Sequence, residues 1–200
     1  MTLRVAHVLN SPGHGGVPRV AHALVRHLDP NRFASHVFYL KPGEGADLFD
    51  DLDIPRRVAR SASKATAMTE LVAWLDAHRI DILHTHSFRP NLYARMAGAV
   101  LKPDLRIVAH YHNEYADKWH GEALALERRL ARLTDAAFAV SDAVACHVSS
   151  ETGLTPQVLE NGVDLNRVTG GCRSAGRNWL DVPQDAQVVG LVGRICRQKG

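Results

Sequence analysis

Five stretches of this chain bring together residue types that can do chemistry. Gly13 to Val17 reads GHGGV and lies between an apolar run and a segment of helical periodicity. Glycines at such a junction let backbone N–H groups approach a phosphate at the positive end of a helix. A tight turn needing positive φ would use the same residues. Two His-x-His steps follow, His84/His86 and His110/His112. On a strand, residues two apart point to one face, so each pair would present two imidazoles together. One reading is a metal centre, because histidine is a common ligand. Glu114 and Asp117 are near in sequence, but no carboxylate is obviously placed to complete a hydrolase site. A structural reading tucks His84 and His110 inside, hydrogen-bonded to neighbours; the preferred reading is histidine lining a polar cleft. Glu160 to Asp164 (ENGVD) holds an Asn-Gly turn that says little alone. Finally, LVGRICRQKG ends in Arg194, Lys199 and Gly200, a pair of cations suited to clamp a diphosphate.

The glycine loop is not a dinucleotide fingerprint. Gly13 and Gly15 fit, but Pro18 occupies the third glycine position. The second strand ends in Leu40-Lys41, without the acid that binds a ribose hydroxyl. A nicotinamide enzyme is therefore disfavoured.

The elements that must position these groups alternate between strand and helix. Apolar runs predict strands at 3–9, 34–40, 56–60, 81–87, 105–112 and 136–140, with a short one within 156–164. Val17, Val20, Ala21, Leu24, Val25 and Leu28 recur at helical spacing, with Pro18 tolerated in the first turn. Further helices are predicted over 65–78, 91–101 and 142–151, the last capped by Ser141-Asp142. Leu126, Leu130 and Leu133 mark another between 112 and 136. Such alternation predicts an α/β fold, a Rossmann-like parallel sheet with helices on both faces. Ligands then bind beyond the carboxyl ends of the strands, where the loops 10–16, 85–91, 111–120, 141–142 and 160–164 fall.

The pattern breaks at Leu165. The expected organisation is a lobe over 1–164, a linker over 165–186, and a fresh strand with a phosphate loop over 187–200. Of the 200 residues, 46% are apolar and 22% charged, which is ordinary for a soluble globular chain. A net charge of +3 does not call for nucleic acid. No apolar run reaches membrane-spanning length, and the N-terminus reads as a strand, not a signal peptide. Three scattered cysteines suit a reducing compartment, so a cytoplasmic location is expected. Arg128, Arg129 and Arg132 suit a solvated helix face, with peripheral membrane contact as the alternative.

Taken in order, GHGGVPRVAHAL, DILHTHS, IVAHYHN, AVSDAV, VLENGVD and LVGRICRQKG resemble a family 4 glycosyltransferase of the GT-B type. The resemblance covers essentially the whole chain, and NGVD followed by GR…KG is its most specific element. It implies two Rossmann-like lobes, an acceptor lobe first and a donor lobe second, facing a cleft. It implies a retaining transfer of a sugar from a nucleotide-diphosphate sugar to a saccharide, lipid or small-molecule acceptor. Gly15 and Gly16 match the family's loop against the donor phosphates, and His112 matches its histidine near the reacting carbon. Arg194 and Lys199 match the basic pair that neutralises the leaving diphosphate. His14, His86, Asn113, Ser141 and Asn161 take cleft or acceptor-side positions. The family needs no metal or other cofactor. Its acidic motif would lie beyond Gly200, so these 200 residues alone are expected to be inactive. A histidine-dependent metal hydrolase and a noncatalytic sugar- or partner-binding lobe remain the alternatives.

Overall fold

The computed structural model describes residues 2–44, 47–61, 63–101, 104–115, 120–165 and 169–191. It divides into two units, Met1–Gly162 and Val163–Gly200. The first is built on a seven-stranded sheet: β1 (Leu3–Leu9), β2 (Phe33–Tyr39), β3 (Arg56–Val58), β4 (Ile82–His86), β5 (Arg106–Tyr111), β6 (Ala136–Ala139) and β7 (Gln157–Val158). Its order is β3-β2-β1-β4-β5-β6-β7, and every pair is parallel. From β1 the chain winds outward through β2 to β3, and from β4 it winds the other way through β5 to β7. The order therefore reverses between β1 and β4, the place where such sheets open a crevice for a ligand.

Among the described residues, five α-helices serve this unit, α1 (Gly16–His27), α2 (Lys64–Ala77), α3 (Arg95–Leu101), α4 (Gly121–Ala131) and α5 (Asp142–Thr152), with a short 3-10 turn at Leu48–Asp51. A π-helical turn, Pro90–Ala94, leads into α3, where the sequence predicted one continuous helix over 91–101. Strand alternation sorts the core. Ala6, Val8 and Phe38 face Leu71, Trp74 and Leu75 of α2 on one side of the sheet. Leu9, Val37 and Tyr39 pack with Ala21 and Val25 of α1 on the other. A third cluster joins Ala109, Tyr111 and Ala139 to Val144 and Val148 of α5. Each fully buried Leu or Phe contributes about 1.5–3 kcal/mol. Gly98 lets α3 lie close on the sheet, because a Cβ there would stand 2.6 Å from Leu83 Cδ2.

The predicted strands and helices of this unit appear with ends shifted by a residue or two, as element ends usually are. Leu133 is a correction. It lies beyond the end of α4 and is 51% exposed, so it does not extend that helix's apolar face.

In the second unit, the segment 165–186 read as linker contains a short helix, α6 (Arg173–Trp179), with no buried residue. The Arg177 guanidinium donates to the Ala186 carbonyl at 2.8 Å. The strand predicted over 187–195 is not present in its described part, since residues 187–191 are irregular. A strand requires a partner for its N–H and C=O groups, and apolar pattern alone cannot supply one. The remainder of that prediction, with Arg194 and Lys199, lies outside the described residues, as does Asp117. Among the described residues no helix is long and apolar enough to cross a membrane.

Candidate functional site

Register brings the histidines together. His7 of β1 stands opposite His84 of β4, and His86 stands opposite His110 of β5. With the two-residue alternation of each strand, His7, His84, His86, His110 and His112 all fall on one sheet face. They run diagonally from the switch between β1 and β4 toward the carboxyl edge. His84 and His86 have ring centroids 4.2 Å apart, as do His110 and His112. The stack is continued by His84 over His110, with centroids 5.6 Å apart and planes only 10° from parallel.

Two contacts thread this cluster. His7 Nδ1 lies 3.3 Å from His86 Nε2, and His86 Nδ1 lies 3.3 Å from His112 Nε2. Burial holds the rings neutral. Desolvation first, then His36 and His110, lowers His7 to about 3. Desolvation and then His110 lower His112 to about 3, and desolvation lowers His110 to about 4. His84 and His86 are pushed well below the ordinary range, by burial and then by neighbouring imidazoles.

A neutral imidazole has one N–H and one lone pair, so the three rings form a chain with a single polarity. At the far end His7 Nε2 is buried with no partner among the described residues. An orphaned buried N–H is rarer than an under-satisfied acceptor. The favoured polarity therefore puts the lone pair on His7 Nε2 and the protons on Nδ1 of His7, His86 and His112. It leaves His112 with an N–H outside the chain, able to donate to a ligand. His84 Nε2 and both nitrogens of His110 are likewise buried without a partner.

The same rings could hold a metal. One nitrogen each from His7, His84 and His86 lies within 4.8 Å of the others, and so do nitrogens from His86, His110 and His112. Two nitrogens on one tetrahedral zinc stand about 3.3 Å apart, so the observed separations suit an ion as well as a shared proton.

The surrounding edge is shaped by β4's exit. Ser87 has φ +76°, an uncommon left-handed conformation for a non-glycine residue, and its N–H donates to the His110 carbonyl at 3.1 Å. The Asn91 amide, almost fully buried, donates to the same carbonyl and accepts from Thr85 Oγ1 at 2.8 Å. The His112 N–H donates to the Tyr115 hydroxyl at 3.4 Å. These bonds tie β4 to β5 where the histidines emerge.

His14 and Gly15 are exposed on the loop after β1, Gly15 caps α1 without a side-chain hydrogen bond, and Gly16 is exposed at the first position of that helix. Gly13 needs its lack of side chain at φ +134°. Asn113 is exposed directly after His112, and Asn161 is exposed in the loop after β7. Ser141 uses its hydroxyl as the cap of α5, accepting from the Val144 N–H at 3.3 Å. The sequence reading missed His7 and Asn91. His7 sits singly in LRVAHVL, and only strand pairing shows that it joins the others.

The glycosyltransferase family 4 model matches residues 14–167. Among solved structures, HepE of Anabaena with UDP and glucose is similar at 17% identity and a TM-score of 0.73, covering 90% of this chain and 50% of that one. The lipopolysaccharide outer core galactosyltransferase WaaB, in its apo form, is similar at 18% identity and a TM-score of 0.63, covering 81% and 46%. MurG of Acinetobacter baumannii is similar at 13% identity and a TM-score of 0.57, again covering 81% and 46%. At these identities the likeness is one of fold. The chain spans about half the length of these proteins. No curated protein sequence matches it.

Proposed function

The chain belongs to glycosyltransferase family 4, and on that premise we propose that it provides the acceptor side of a sugar transfer from a nucleotide-diphosphate sugar. The observation that carries the reading is the family match across 14–167, which takes in Gly15, Gly16 and every member of the histidine cluster except His7. Gly15, Gly16 and His112 lie at the carboxyl edge of the sheet. Gly15 and Gly16 would let backbone N–H groups approach the donor phosphates at the start of α1. His112 would donate through Nδ1 to the donor sugar, or to charge that develops on it in the transition state. Arg194 and Lys199 would neutralise the departing diphosphate. The reaction is of the hexosyl-transfer kind and retains the anomeric configuration. Departure and attack occur on one face of an oxocarbenium-like centre, with no carboxylate nucleophile of the glycosidase kind. No metal is needed. The location is cytoplasmic, with peripheral membrane contact open. Alone, the 200 residues lack transfer activity.

A donor screen on a chain extended past Gly200 tests this. Transfer or slow hydrolysis of a uridine or guanosine diphosphate sugar is expected there, with none from the 200-residue chain. Ordinary enzymatic rates from the 200 residues alone would overturn the division of labour. In the extended chain Gly16→Val should fold, because a Cβ at Gly16 meets nothing within 4 Å, yet lose turnover. Unchanged turnover would remove the loop from the site.

A second reading, a metal-dependent hydrolase, draws on the two histidine triads. Stoichiometric zinc in elemental analysis, together with loss of activity on chelation, would favour it over metal-free transfer.

A further inference from the structure

Beyond the carboxyl ends of β1, β2 and β4 lies a cavity of about 170 Å³ whose lining includes Asn10, Lys41, Lys64, Arg89 and Tyr93. Asn10 follows β1, Lys41 follows β2, Arg89 follows β4, and Lys64 opens α2. Four separate elements thus converge at the carboxyl edge. Three of the lining residues are cations and none is an acid. Among the described residues, Lys41, Lys64 and Arg89 form no ion pair with a carboxylate. The Lys64 ammonium stands 4.9 Å from the centre of the Tyr93 ring, which also lines the cavity. Such a contact holds a lysine head in place without neutralising it.

The whole chain carries a net charge of only +3, so three unpaired cations around one small cavity are a local concentration and not a general basic surface. Like charges gathered this way repel one another, and an anion between them removes that cost while gaining charge-assisted hydrogen bonds. A carboxylate brings one charge. A phosphate monoester brings about −1.5 to −2 near neutral pH, with three acceptor oxygens. Three cationic donors match the latter.

We propose that Lys41, Lys64 and Arg89 form a phosphate receptor and that the acceptor substrate is a phosphorylated molecule, its phosphate seated in this cavity. The word acceptor rests on the glycosyltransferase reading, whereas the phosphate site rests on the cavity alone. Arg89 offers the planar fork that grips two phosphate oxygens at once, and the lysines supply point charges on either side. Asn10 adds a neutral amide.

The test is calorimetric titration of the 200-residue chain with inorganic phosphate, glucose 6-phosphate, glucose and UDP, at low and moderate salt. Glucose 6-phosphate should bind at least about tenfold more tightly than glucose, and the advantage should shrink with salt. Lys64→Ala and Lys41→Ala should each weaken phosphate binding by roughly three- to tenfold, and Arg89→Glu should abolish it. Lys64 and Arg89 are exposed and Lys41 half-exposed, so these variants should keep the parent's far-UV circular dichroism. A vesicle arm separates two sources of the same chemistry. Sedimentation with phosphatidic acid vesicles, lost in Arg89→Glu, places the phosphate on a lipid; sedimentation with neither phosphatidic acid nor phosphatidylcholine places it on a soluble acceptor. Equal binding of glucose and glucose 6-phosphate, or phosphate binding indifferent to all three substitutions, overturns the receptor. Displacement of glucose 6-phosphate by equimolar UDP assigns the cavity to the donor diphosphate and overturns the acceptor proposal. No donor sugar is present, so absence of glycosyl transfer in a separate assay bears on the enzymatic reading and leaves the receptor standing.

Discussion

Strand β5 carries a buried polar cluster on each of its faces, and the two are built on opposite principles. On one face Tyr111 meets Arg95 of α3 and Glu127 of α4, all three nearly or completely buried. The Arg95 guanidinium donates to Glu127 Oε1 and to the Tyr111 hydroxyl, each at 2.8 Å, and that hydroxyl donates to the same carboxylate oxygen at 2.6 Å. On the other face His110 and the adjacent His112 join a stack of neutral rings. The first cluster is one ion pair closed into a triangle by a neutral hydroxyl, and it holds two helices to the sheet. The second gathers five like groups, holds them uncharged, and opens at the carboxyl edge. A buried ion pair specifies how elements dock. A neutral chain ending at an accessible ring keeps a hydrogen-bonding function available to something outside the fold.

The largest effect should come from breaking the charged triangle. Glu127→Ala leaves Arg95 buried and uncompensated, and should cost about 3–5 kcal/mol of stability in a denaturant titration. Replacing both with leucine should recover most of that loss. If Glu127→Ala is nearly neutral, the two clusters do not differ in their dependence on paired charge.

Acid should strike the histidine face. The folded-state pKa of His7 is about 3, against 6.5 in the unfolded chain. Between those values the unfolded state binds the extra proton, so stability is complete above about pH 6.5 and falls as pH drops. At pH 4.5 His7 alone should cost about 3 kcal/mol. Thermal unfolding across this range should show a decline that is weaker in His7→Leu. A flat profile from pH 7 to 4.5 would mean that the rings are already protonated or solvated.

Within the histidine cluster, function and structure should separate. In an extended, active chain His112→Ala should slow transfer at least about tenfold, near 1.4 kcal/mol of barrier. His84→Ala should chiefly lower stability, because it empties a buried space. The reverse pattern would exchange their roles. The smallest effect is one of tautomer population. Two-bond ¹H–¹⁵N correlation spectra should show the Nδ1–H form at His7, His86 and His112. His7→Leu should release His112 toward Nε2–H, whereas His7→Asn, which keeps a donor near the Nδ1 position, should hold it. Nε2–H at His112 in the parent chain would reverse the polarity derived from His7.

Much of the first unit was legible in its sequence. LRVAHVL, ASHVFYL and LRIVAHYH are apolar runs bounded by turn residues, and burial of both sheet faces leaves little else for them to become. The spacing of His110 and His112 placed both on one face, because strand periodicity is a local property. His7 was not legible as a member of the site. Arg95 and Glu127 were not legible either, since nothing in RMAGAVL or ALERRL marks those two charges for burial. At 187–191 apolar pattern favoured a strand, and the observed backbone is irregular, because β structure requires a partner that pattern does not specify.

What the sequence determined by itself were the properties carried by neighbours along the chain: strand and helix periods, the glycine loop, the two His-x-His faces, the Ser141 cap. Only the tertiary structure decided which strand lies beside which. That order put β1 next to β4, brought His7 within 3.3 Å of a ring 79 residues away, and gathered Lys41, Lys64 and Arg89 around one cavity. The physical reason is that hydrogen-bonded register and close packing act between residues distant in sequence. A side chain's proton, charge or partner is set by those neighbours once water has been excluded.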